Sequence, residues 1–485
     1  MDAGSGGVKC LFVNLSGEIV ASGFEEWQRE GWNTKIGWNA IRKVLQSTLS
    51  KGIKPQEIAG IVSTSMREEF VLLDAGAQEV QFTIDSSAYT HGEKFNETYG
   101  LQLYQESGHW PVPGWIVAAK LVWLRDVKPE VLKRTKKILM ISDWVGHAFG
   151  AEFYSEGSSA CETSLFNIAN NDWAWNIIDE LELPAEIFPD VEENGKRVGF
   201  ISQSIADETG LDEGIPIFVG GADTQCGLLG SGAVSEGEVI AVCGTTTPVQ
   251  MVTNKPIIDP LKRTWTNRHV IRDQYIIESN AGKTGWVYRW FRDEINKGFG
   301  NEPYEKINTL ADSSPPGSHG LKAYLGPHIF SSGPPYWSGD RLGDKPVLPT
   351  LIGNALFSRG DLARAIIEAN CYAVKANFEQ LKEITGNSPL RFGMCGGSSK
   401  SQLWVEIQAN VLELPVVLPR ERDATAIGAA ILAATGAGFY RDINEAVDKM
   451  VHLEEPILPI GAKSSQYKPL YEGWLTTRDR LARSF

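Results

Sequence analysis

The chain has 485 residues, too many for a single hydrophobic core, so two or more domains are expected. Its 42% hydrophobic and 22% charged residues describe an ordinary globular protein, and a formal net charge of −14 excludes nucleic acid or an anionic membrane surface as the main partner, while leaving room for a nucleotide in a local pocket. The six cysteines (10, 161, 226, 243, 371 and 395) stand singly with no CxxC pair, and the seven histidines are scattered. Buried thiols are therefore expected, with no disulfide framework and no zinc cluster. No run of about 18 apolar residues and no signal peptide stands out, which points to a cytoplasmic protein.

At the start of the chain, Asp2-Ala-Gly-Ser-Gly-Gly-Val-Lys9 reads as a glycine-rich hairpin turn leading into a strand. Gly4, Gly6 and Gly7 would bare backbone N–H groups able to hold phosphate oxygens, with Ser5 among them. Asp2 is suited to a hydrated Mg²⁺, and Lys9 faces either a phosphate or water. A flexible Gly/Ser-rich terminus is the plainer alternative. Residues 38–50 have helical spacing of apolar positions. Ile58–Ser63 reads as a strand and Phe70–Leu73 as a second, with Arg67 and Glu68 between them. An adjacent Arg and Glu offer donors and an acceptor together, which suits a polyhydroxylated ligand; a solvated turn is the alternative. Asp85 is a further polar candidate. A helix over 115–126 puts Lys120 and Trp123 on one face.

Ile215-Pro-Ile-Phe-Val219 has the look of a buried strand, ended by Gly220 and Gly221 and followed by Asp223 and a helix. A carboxylate behind two glycines has bare backbone beside it, and strand ends of α/β sheets are where ligands bind. Asp223 is therefore a candidate general base, with a helix N-cap as the alternative. Glu238–Cys243 is another strand. It runs into Gly244, Thr245, Thr246 and Thr247, a turn able to cradle a transferring phosphate. Trp286 and Trp290, four apart, read as core packing. Residues 313–349 are rich in Pro, Gly and Ser and read as an irregular connection. Arg391–Cys395 is a strand leading to Gly396, Gly397, Ser398, Ser399 and Lys400 and then a helix, a geometry that offers free N–H groups to an anion or a close surface to an adenine ring. Asp423-Ala-Thr-Ala-Ile-Gly428 opens a helix of small residues. Strand, small-residue turn and helix recur in both halves.

Taken together and in order, Asp2-x-Gly4-Ser5, Gly220-Gly221-x-Asp223, Gly244-Thr245-Thr246, Gly396–Lys400 with Leu403-Trp404, and Asp423–Gly428 resemble the FGGY family of carbohydrate kinases. The resemblance implies an α/β protein of two actin-like (ribonuclease H-like) domains, 1–230 for the sugar and 231–485 for ATP, with a ligand cleft between them. It implies Asp223 as catalytic base, and Asp2 and Asp223 facing Mg²⁺. ATP would be held by Gly4, Ser5, Gly6, Lys9, Gly244, Thr245, Thr246, Gly396, Gly397, Ser398 and Lys400. Arg67, Glu68, Asp85 and Asp223 would hold the acceptor, a small sugar, polyol or hydroxyketone (autoinducer-2-like, pentulose or glycerol-like). A homodimer is compatible with it. The chain departs from the family pattern at Ser87, Ser398, Asn410 and Asp423. A non-catalytic sugar- or nucleotide-binding protein on the same fold is the rival reading.

Overall fold

The computed structural model describes residues 1–27, 32–82, 88–110, 116–295, 303–330, 349–353 and 356–484. Asp85 and Ser87 lie outside these residues, as do residues 331–348 of the irregular connection read at 313–349. Among the described residues, strands form two six-stranded mixed sheets, one in each half of the chain.

The two sheets repeat one plan. In the first, Asp2–Gly4, Gly7–Val13 and Ile19–Glu26 form an antiparallel meander, and Ile61–Ser65 and then Pro216–Ala222 add in parallel on its other side. In the second, Val239–Cys243, Pro248–Thr253 and Tyr275–Asn280 form the meander, with Phe392–Gly396 and Val416–Val417 adding in parallel. Each sheet gains one further edge strand, Arg197–Phe200 in the first and Trp265–Arg268 in the second. The parallel strands are largely buried, Ile61–Ser65 with its Ser63, Thr64 and Ser65 included, as strands covered on both faces are. Phe70–Leu73, in a smaller three-stranded antiparallel sheet, is wholly buried between two hydrophobic clusters.

Helix Arg359–Thr385 runs through the core of the second half. It starts at a capping box made by Ser358 and Asp361 and stops at Gly386 in the left-handed region (φ 73°). Helix Thr34–Leu49 covers the first sheet with Ile41, Val44 and Leu45. All six cysteines are free and buried. No helix among the described residues is long and apolar enough to cross a membrane.

Two local expectations need correction. The strand read as ending at Val219 continues through Gly220 and Gly221 to Ala222. A Cβ on Gly220 would sit 1.7 Å from the Ser63 carbonyl oxygen, so the glycines let the strand pass a neighbour rather than stop it. Trp286 and Trp290, read as core, are 46% and 37% exposed; the face of Val287 and Tyr288 packs inward instead, and Lys283 lies over the Trp286 ring.

The halves meet where helix Asp223–Gly230 crosses helix Ala424–Gly436. The approach is backbone to backbone. A Cβ on Gly230 would lie 1.8 Å from the Ala424 oxygen, and one on Gly428 would lie 1.9 Å from the Cys226 oxygen. A side chain there has no flexible neighbour to displace. Gly428→Val should therefore destabilise the fold by about 3 kcal/mol or more, the upper end of overpacking costs. Urea unfolding of the variant against the parent checks this, and an unchanged midpoint would show that the crossing is looser than described.

Candidate active site

A cleft of about 1170 Å³ opens between the two sheets, and most of the residues singled out in the sequence line it. At one end, the turn Gly4–Gly7 joins the first two strands. The Trp27 indole N–H donates to the Gly4 carbonyl (2.6 Å), and Gly7 is required because a Cβ would lie 2.3 Å from the Glu25 oxygen. Lys9 also lines the cleft, but its ammonium is engaged by Asp423 at 2.6 Å, across the two halves. Burial raises the Asp2 carboxyl above the usual carboxylate range, against the pull of Lys9.

Facing this turn is the hairpin Gly244–Thr246, with Gly244 and Thr245 exposed to the cleft. Gly285 backs it closely, since a Cβ there would lie 2.1 Å from the Gly244 oxygen. Behind it, Gly397 N–H donates to the Cys243 carbonyl at 2.7 Å, which fixes the 396–400 turn to the end of the neighbouring strand. Gly397, Ser398 and Lys400 reach the cleft wall; Gly396, left-handed at φ 84° and pressed on Cys243, lies behind it. Helix Gln402–Leu412 then starts at Ser401, whose hydroxyl accepts from Trp404 N–H. Opposite this turn stand Tyr288, Arg289, Tyr304, Asn308 and Thr309, none of which the sequence singled out for a ligand. Tyr288 and Tyr304 stack at 5.6 Å, and the Tyr288 hydroxyl donates to Asn308 at 2.6 Å. The flat walls and nearby N–H groups suit a purine ring. Asn410 lies outside the cleft wall: its amide accepts from Ile460 N–H and donates to the Glu406 carbonyl, anchoring the C-terminal segment.

Asp223 sits between these ends, at the first residue of helix Asp223–Gly230. The N-cap position belongs to Ala222, so the plain capping role falls away. The carboxylate accepts from Thr224 N–H at 2.7 Å, and burial pushes it up to about 7, with Arg67 opposing.

Arg67 and Glu68 occupy the turn after strand Ile61–Ser65, and both reach the cleft. Glu68 is held in the left-handed region at φ 69°, an uncommon backbone state for a non-glycine residue. Burial, followed by the charge of Glu162, pushes its carboxyl up to about 7. Arg67 is tied down inside the protein: Nη1 donates to Glu162 (2.9 Å) and Glu278 (2.8 Å), and Nη2 donates to Glu278 (3.2 Å). Burial would raise the Glu278 carboxyl, but Arg67 and Gln250 outweigh it and hold the group below its usual range. Glu162, under the same burial, is pushed up to about 7 despite Arg67. His109 stacks on Trp265 at 4.8 Å and hydrogen-bonds Asn267; burial pushes its imidazole down to about 4, so it is neutral near pH 7. Glu162, Glu278 and His109 went unread because each stands alone in the sequence, outside any spaced motif.

The FGGY family of carbohydrate kinases matches the chain in two parts, its N-terminal domain at residues 1–230 and its C-terminal domain at residues 239–437. Autoinducer-2 kinase of Escherichia coli (strain K12) is 28% identical over 504 residues, covering 98% of this chain and 92% of its own. That of Yersinia pestis bv. Antiqua (strain Angola) is also 28% identical, over 97% of this chain and 91% of its own. In fold, the chain resembles a xylulose kinase from Lactobacillus acidophilus (TM-score 0.86, 20% identity, covering 100% of this chain and 98% of that one). It also resembles Plasmodium falciparum glycerol kinase with ADP (TM-score 0.82, 16% identity, 99% and 97%). The ordered turns, the twice-used sheet plan and these matches agree: the chain belongs to the FGGY family of carbohydrate kinases, ATP-using sugar phosphotransferases built from two actin-like domains.

Proposed function

We propose that the protein transfers the γ-phosphate of ATP to a hydroxyl of a small neutral-sized acceptor, a pentulose, a glycerol-like polyol or an autoinducer-2-like hydroxyketone, with Asp223 as general base. The observation that carries this reading is the position of Asp223, on one cleft with both phosphate-type turns and with Arg67 and Glu68. The near-full-length likeness to autoinducer-2 kinase supports a hydroxyketone as the first acceptor to try.

In this reading Asp223 takes the proton as the acceptor oxygen forms its bond to the γ-phosphorus and the bond to the bridging oxygen of ADP breaks. Positioning and charge neutralisation supply most of the rate. The N–H groups around Gly4–Gly7, the 244–246 hairpin and Lys9 hold phosphate oxygens, with Lys9 exchanging Asp423 for phosphate. Gly397, Ser398 and Lys400, with Gly396 behind them, shape the adenosine end. Glu68 and the remaining N–H groups of Arg67 hold acceptor hydroxyls, and Asp85 stays a candidate for the same task. Among the described residues no three His, Cys, Asp or Glu side chains form a metal cage. That fits Mg²⁺, which is held by one or two carboxylates plus phosphate oxygens. Asp2 and Asp223 would be those carboxylates, and the ion would neutralise phosphate charge. The division at 230/231 into a sugar-binding and an ATP-binding domain belongs to the same proposal.

Asp223→Asn should lower kcat by about 10²- to 10⁴-fold, the usual share of a general base, and leave acceptor binding nearly unchanged. A coupled ADP-release assay over polyols, pentuloses and the autoinducer-2 precursor, paired with calorimetric binding, measures both. Near-normal turnover in the variant would remove Asp223 from the role. Binding without any ADP release in the parent would favour a non-catalytic sugar- or nucleotide-binding protein.

A second outcome concerns pH. The base works deprotonated, and burial pushes Asp223 up to about 7, so kcat/KM should rise through neutral pH and level off above it. Glu68 and Glu162 are pushed to about the same value, so the rise reports the cluster as a unit. A pH–rate profile that is flat across this range would count against a buried carboxylate base.

A further inference from the structure

The acceptor end of the cleft holds more carboxylates than cations. Arg67 faces Glu162, Glu278, Glu68 and Asp223. A guanidinium has five N–H groups, and the two on Nη1 are both spent, one on Glu162 and one on Glu278, while Nη2 gives one more to Glu278. The end-on fork of Nη1 and Nη2 is thus filled by Glu278, with Glu162 taking the other Nη1 hydrogen; Nε and the second Nη2 hydrogen are used by neither carboxylate. Lys120 offers no substitute. It is buried, with its ammonium 3.4 Å from the Glu68 carbonyl oxygen and 3.9 Å from the Glu69 carboxylate. Lys9 is committed at the phosphate end.

Glu162 is the member of this cluster with least structural reason to be charged. It is fully buried, and its second oxygen, Oε2, lacks a well-formed hydrogen bond. So does Nδ1 of His109, which is also fully buried and lies 3.8 Å from it. An apolar or amide side chain would serve packing at lower desolvation cost. What the carboxylate does accomplish is to set a second negative charge, beside Glu278, against Arg67.

We infer that Glu162 is a positioning residue which, by balancing the charge of Arg67 together with Glu278, sets the acceptor site for uncharged polyols and hydroxyketones and against acceptors bearing a carboxylate. The inference rests on the kinase reading above for which end of the cleft takes the acceptor. An uncharged acceptor donates its hydroxyls to Glu68 and Asp223. A carboxylate meets the same two groups as like charges, beside a guanidinium whose charge Glu162 and Glu278 already balance.

The test compares D-xylulose and glycerol with D-gluconate, using calorimetric binding to the full chain and, separately, coupled ADP release. Wild type should bind the better neutral acceptor at least tenfold more tightly than D-gluconate. Glu162→Gln, which keeps the shape and removes the charge, should tighten D-gluconate binding and lower its KM about tenfold. Its KM for the neutral acceptor should stay within threefold, with kcat for each acceptor little changed. A merely structural role would weaken both acceptors together. Glu68→Gln, on the cleft wall, is a second variant that should shift the same ratio in the same direction. The inference is overturned if wild type binds D-gluconate as tightly as the better neutral acceptor, if neither neutral acceptor binds, or if Glu162→Gln leaves the ratio unmoved. Selective binding without ADP release would instead count against the kinase reading and leave this one standing.

Discussion

The contact on which the rest of the molecule depends is the crossing of two short-residue helices through Gly230 and Gly428. Backbone meets backbone there, so the distance between the two sheets is set by main-chain atoms and not by side chains that could repack. Asp223 begins one of these helices and Asp423 precedes the other. The Thr425 hydroxyl donates to the Asp223 carbonyl at 3.1 Å, tying the two helix starts together. The same crossing that joins the halves thus aims a carboxylate into the gap between them.

Much of this was legible in the sequence, and for a physical reason. Positions where a backbone must pass close to another backbone tolerate little but glycine, and Gly7, Gly220 and Gly396 are such positions, each with a neighbouring backbone oxygen within 3 Å of where a Cβ would sit. A helix with clean periodicity, Thr34–Leu49, was read at 38–50, within a few residues of its ends. The failures have an equally definite cause. Gly220 and Gly221 looked like a stop because glycine ends strands more often than it relieves a clash inside one. Trp286 and Trp290 looked like core because aromatic spacing does not reveal which side of a helix meets protein.

The polar interior was the part least open to sequence reading. Glu162, Glu278, His109 and Asn267 come from distant segments and meet only once both sheets are folded. Arg67 was read as a free donor for a ligand and does line the cleft, but the carboxylates that take up its N–H groups stand 95 and 211 residues away. A local motif cannot show how a charge is balanced across that distance. Lys9, read as facing phosphate or water, similarly meets Asp423, 414 residues on.

The ion pairs Lys9–Asp423 and Arg67–Glu278 both join the two halves, and their surroundings differ. Lys9 and Asp423 are each more than a third exposed, so water and dissolved ions share their charge. Arg67 and Glu278 are almost wholly enclosed. Any widening of the gap must wet both of the enclosed partners at once, before either regains the hydration it gave up on folding. Breathing of the two halves is therefore gated by how water enters one small interior space, and added electrolyte would loosen the outer tie while scarcely touching the inner one.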